Sequence, residues 1–63
     1  MGSPGWLAVG TALRDPDGER WRVRSTGATT VRVQHPERGV HRLRREDLVA
    51  WVEAGDWTVE TEP

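Results

Sequence analysis

Arg20-Trp21-Arg22-Val23-Arg24-Ser25, a turn at Thr26-Gly27-Ala28, then Thr29-Thr30-Val31-Arg32-Val33-Gln34-His35 is the stretch that decides the fold. Both runs alternate. Trp21 and Val23 point one way, with Arg20, Arg22 and Arg24 pointing the other. Val31 and Val33 point inward, with Thr30, Arg32 and Gln34 outward. That period of two belongs to half-buried strands, and Gly27 suits the tight connection of an antiparallel hairpin. Pairing Val23 with Val31 sets Trp21 opposite Val33. The same register sets Arg22 against Arg32 on the outer face, an opposition of like charges that costs stability in a sheet.

The signals continue on both sides. Upstream, Asp15-Pro16-Asp17-Gly18 is a turn: Pro16 presets φ, Asp15 accepts a backbone hydrogen bond, and Gly18 tolerates positive φ. A first strand is predicted around 9–14, with residues 1–5 as a flexible lead-in. Downstream, Pro36-Glu37-Arg38-Gly39 is a second turn, flanked by His35 and His41. Val40 to Leu43 is a short strand whose facing is unsettled, because Val40 and Leu43 cannot share a face without a bulge or an early exit from the strand. Residues 44–54 are the helix candidate, with Leu48, Val49, Trp51 and Val52 on one arc. Asp47 is the expected N-cap and Gly55 the expected left-handed terminator, turning Trp57 back over Leu48 and Val52. Trp57 to Val59 forms a closing strand, and 61–63 a polar tail.

The chain has 63 residues, with no Cys, Phe or Tyr. It is one small domain, residues 6–60, with a limited core. A disulfide framework and a cysteine zinc site are excluded. One short helix cannot cover an open sheet of this size. Closing the sheet gathers Trp21, Val23, Val31, Val33, Trp57 and Val59 into one core, with the helix plugging an end. The predicted class is all-β or mostly β, a small barrel of about five short strands. The alternative is an α+β open sheet packed on one helix. The Gly10-containing first strand, the Trp21–Val23 and Val31–Val33 hairpin and the helical stretch before a final strand resemble the SH3-like small barrels, which include Tudor-type and KOW-type modules. The helix is longer than the single 3₁₀ turn usual there. The resemblance raises the question of a methyl-lysine cage, but four dispersed Trp without Tyr or Phe do not make one.

Charge supplies the functional reading. Residues 20–45 carry eight Arg and one acid, Glu37, whereas 46–63 carry six acids and no Arg. Net charge is −1, and Lys is absent. Arg20, Arg22, Arg24, Arg32, Arg42, Arg44 and Arg45 form the candidate binding surface, because guanidinium forks match carboxylates and phosphates. Thr30 and Gln34 add hydrogen-bonding groups, and Trp6 is the ring expected to be exposed. An ordinary solvated strand face is the plainer account of the same Arg residues. No nucleophile has a base beside it, and the glycines form no phosphate-cradling loop, so no enzyme, cofactor or catalytic residue is predicted. His35 and His41 with Glu37 lack a third fixed ligand, so no metal is predicted. The expected function is a protein-interaction or regulatory module with a dipolar surface. A nucleic-acid module contacting phosphates is the alternative, and a domain without strong independent function the third reading. The discriminator is whether the acidic segment lies opposite the Arg face or is interleaved with it. No run suits a membrane span, and the start lacks the regions of a signal peptide, so a cytoplasmic monomer is expected in preference to a homodimer.

Overall fold

The computed structural model describes residues 3–60. The elements run β1 (Ala12–Arg14), β2 (Arg20–Thr26), β3 (Thr30–His35), β4 (Gly39–Arg44), α1 (Arg45–Ala54) and β5 (Thr58–Glu60). The five strands form one antiparallel sheet in the order β4-β3-β2-β1-β5. The chain is therefore mostly β, with its helix before the last strand as expected. β4 and β5 stand at the two ends of the sheet, with no ladder joining them among the described residues. Met1 and Gly2 of the lead-in and the whole 61–63 tail lie outside the described residues.

The β2–β3 hairpin forms, but its register differs from the one read in the sequence. Val23 pairs with Val33 and Arg22 with Gln34, whereas Ser25 pairs with Arg32 and Thr26 with Val31. The shift between Val23 and Ser25 is a β-bulge: Arg24 is one residue too many for the ladder. Arg22 therefore does not oppose Arg32, and Trp21 is not opposite Val33. The like-charge pair lies one strand over, where Arg32 faces Arg42. β4 itself is regular. His41 opposes Val33 and Leu43 opposes Val31 on the inner face. Val40 is left outside, 46% exposed, so neither a bulge nor an early exit is needed.

β1 is shorter than predicted. Gly10 has φ +96°, and Thr11 N–H returns to Ala8 O at 3.2 Å, so residues 8–11 form a turn. At the other end of β4, α1 begins at Arg45. Asp47 is not the N-cap; Arg44 takes that place, in an extended conformation and without a side-chain cap. The Arg45 N–H is instead satisfied by Thr29 O at 2.9 Å, so the β2–β3 turn supplies the missing cap. Glu46 and Asp47 fall in the first turn, where negative charge favours the helix dipole. Gly55 does terminate the helix at φ +84°. The N–H groups of Gly55 and Asp56 close on Val52 O and Trp51 O at 3.1 and 2.9 Å. Trp57 then stacks on Trp51, with centroids 6.0 Å apart and planes 17° apart, and packs against the core cluster that contains Leu48.

The core consists of Leu7, Leu13, Trp21, Val23, Val31, Val33 and Leu48. Trp57 and Val59 are half-buried and pack at its border. Leu7 and Leu13 were not in the predicted core, because neither sits in an alternating run. Trp6, expected to be exposed, is half-buried against the same cluster.

Candidate functional site

Two constellations dominate the surface, one closed and one open. The closed one is built on the 15–18 turn. Asp15 Oδ1 accepts the N–H groups of Asp17 and Glu19, both at 2.9 Å, and its Oδ2 accepts the Trp21 indole N–H at 3.0 Å. Burial pushes the Asp15 carboxyl up. The bonds from Trp21, Glu19 and Asp17, with the charge of Arg38, outweigh that and hold it below its ordinary value.

His35 is buried, although a turn-flanking His reads as a surface residue. Its Nδ1 faces the N–H groups of Glu37 and Arg38 at 3.0 and 3.2 Å, so that nitrogen is the acceptor. The proton then sits on Nε2, which donates to Glu19 Oε2 at 2.9 Å. Glu19 also meets Arg38 at 3.5 Å. The Trp21 ring lies 5.1 Å from His35 and 4.8 Å from His41, so one indole neighbours both imidazoles. Among the described residues, no three His, Asp or Glu side chains gather in a way that could hold a metal ion. Among the described residues, no helix is long and apolar enough to cross a membrane.

The remaining Arg residues divide between those that meet carboxylates or backbone carbonyls and those of an open face. Arg14 opposes Arg20 across β1 and β2, and Glu60 of β5 pairs with both, at 3.2 Å from Arg20. Arg22 donates to Gly10 O at 2.7 Å, and Arg45 to Gly27 O at 3.2 Å. Arg44 lies 3.9 Å from Glu46, with both side chains largely exposed. Thr30, opposite Arg44, is half-buried. Acids of the 46–60 segment thus meet Arg at both ends of the sheet, closely at β5 through Glu60 and loosely at β4 through Glu46.

The open constellation is Arg24, Arg32 and Arg42. The bulge places Arg24 and Ser25 beside Arg32, and the β3–β4 register places Arg42 directly opposite Arg32. Arg24 donates to Gln34 Oε1 at 2.6 Å. The side chains of Arg32 and Arg42 make no hydrogen bond or ion pair with another described residue. With Ser25 and the exposed Val40, the three Arg line an open depression of about 590 Å³. The sheet thus treats two Arg–Arg oppositions differently: a shared carboxylate relieves Arg14–Arg20, and none among the described residues relieves Arg32–Arg42. The sequence signal for the second was the 36–39 turn. Counting outward from the His35–Gly39 pair that closes it brings Arg32 to Arg42.

No family model matches the chain, and no curated protein or solved structure matches it significantly.

Proposed function

We propose that this chain is a non-enzymatic protein-interaction or regulatory module that engages an acidic partner through Arg24, Arg32 and Arg42. The observation that carries this reading is the Arg32–Arg42 opposition, with no neutralising acid among the described residues. Like charges placed side by side cost stability, and a partner carboxylate between them removes the cost. Exposed Val40 in the same depression adds an apolar contact beside the charged ones. The adjacency of β1 and β5, with α1 between β4 and β5, also supports reading the domain as a small SH3-like barrel.

Phosphate contact is the second reading, since the same guanidiniums suit a polynucleotide. Two features favour a protein instead. The open row is short, because Glu60 occupies Arg14 and Arg20 and breaks the basic track. All four Trp are buried or half-buried, so no exposed ring offers a stacking platform.

The test is a fluorescence titration at low salt with polyglutamate and with short single- and double-stranded DNA and RNA. The wild type is compared with an Arg24→Gln, Arg32→Gln, Arg42→Gln triple variant. Polyglutamate should bind the wild type and lose most of its affinity for the variant. Tighter binding of nucleic acid, with a steep salt slope that the variant flattens, would replace this reading by the second. Absence of any response to the substitutions would reduce the Arg row to a solvated face.

A further inference from the structure

β4 is the longer of the two end strands of the sheet, six residues against three in β5, and it pairs only with β3 among the described residues. The antiparallel ladder fixes which of its backbone groups are spare. The Arg45 N–H bonds Thr29 O, so position 45 belongs to the set turned toward β3. Alternation then turns His41 and Leu43 toward β3. It turns the N–H and C=O groups of Val40, Arg42 and Arg44 toward the free edge. These are the same residues whose side chains stand on the outer face with Arg32. One strand therefore presents spare backbone donors and acceptors in register with apolar, cationic and cationic side chains.

We infer that the free edge of β4 takes up an extended acidic segment of a partner protein, added antiparallel to the sheet, with carboxylates opposite Arg44 and Arg42 and an apolar residue opposite Val40. This rests on the acidic-partner reading above and specifies how the partner is held. Directly opposed residues on neighbouring strands share a face, so acid-x-acid-x-apolar is the partner pattern that the edge selects. The inner acid also lies next to the Arg32 row, which supplies the missing counter-charge. A second copy of this chain is the poorer occupant. A pairing centred on Arg42 opposes Arg42 to itself, and one centred on His41 places Arg42 over Val40. Charged residues on an edge discourage such self-association.

The probe is a short synthetic peptide, Thr-Glu-Thr-Glu-Thr-Val, in three forms: unmodified, N-methylated at both Glu and at Val, and N-methylated at the intervening Thr. The first methylation pattern blocks the amides facing β4; the second blocks those facing away. Titration at low salt should show binding of the unmodified and Thr-methylated forms. Methylation at Glu and Val should weaken binding at least tenfold, as should Arg42→Gln in the protein. Amide exchange should slow at Val40, Arg42 and Arg44 on peptide addition, with little change at His41 and Leu43. Equal binding of all three forms would overturn edge addition while leaving the Arg-face reading intact. Binding of polyglutamate without binding of the peptide would do the same. Failure of polyglutamate and peptide alike would remove both. Formation of a dimer that the peptide cannot dissociate would assign the edge to a second copy and overturn the inference.

Discussion

Asp15 shows how much one side chain can hold. Its carboxylate takes two backbone N–H groups of its own turn and the indole N–H of a core Trp, linking the β1–β2 connection to the buried ring. Asp15→Ala leaves Trp21 Nε1 without that acceptor and should cost about 1–3 kcal/mol in urea unfolding. The pH dependence follows from the depressed pKa. A carboxyl that binds its proton less readily folded than unfolded contributes stability fully above its ordinary value of 3.8, and that contribution disappears as pH falls through the lower folded value. Stability of the wild type should therefore decline across that acid range more steeply than that of Asp15→Asn. Parallel curves would refute the assignment. Gly55 makes a different demand. A Cβ there meets nothing within 4 Å, so the obstacle to substitution is the positive φ alone. Gly55→Ala should cost about 1 kcal/mol, and Gly55→Asn less, because Asn visits the left-handed region more readily. Equal stability of the Ala variant and the wild type would show that the helix ends by another route.

At the scale of elements, the bulge in β2 decides where charge lies. Arg24 is the extra residue, and the ladder on either side of it is continuous. Deleting Arg24 should let β2 and β3 pair without interruption, with Val23 still opposite Val33 and Thr26 still opposite Val31. Inter-strand nuclear Overhauser contacts would check this; a slip of Val23 to Val31 would show that the bulge pins the register. The hairpin, its inward residues, the two Gly-containing turns and the helix terminator were legible in the sequence because each has a local cause. The bulge was not. It adds a residue to a run that still alternates up to Val23, and only the pairing of both strands reveals it. The burial of His35 is not legible for a related reason. Its burial depends on Glu19, sixteen positions away, and on the backbone of the turn it closes. The Arg surface was legible as residue types. What the sequence did not show was its division into residues tied to Glu60 or to backbone carbonyls and a pair left open.

Across the whole molecule, that division sets folding and function against each other. Glu60 relieves one Arg–Arg opposition at the β5 end of the sheet, and the Arg32–Arg42 opposition toward the β4 end has no counterpart among the described residues. If the open pair is kept for a partner, it costs the free domain stability. Arg32→Gln with Arg42→Gln should then raise stability by about 0.2–1 kcal/mol at low salt. The gain should shrink as salt is added, because screening already weakens the repulsion in the wild type once the Debye length falls to about 10 Å at 0.1 M. Glu60→Gln should move the other way, lowering stability by up to about 1 kcal/mol at low salt and less at high salt. Urea unfolding of the three proteins across a salt series separates the two signs. A double Arg variant that is less stable than the wild type at low salt would mean that the guanidinium stems hold the outer face together, and the row would no longer be spare for a partner. A more stable variant that has also lost affinity for acidic peptide would place the cost in the free domain and the benefit in the complex.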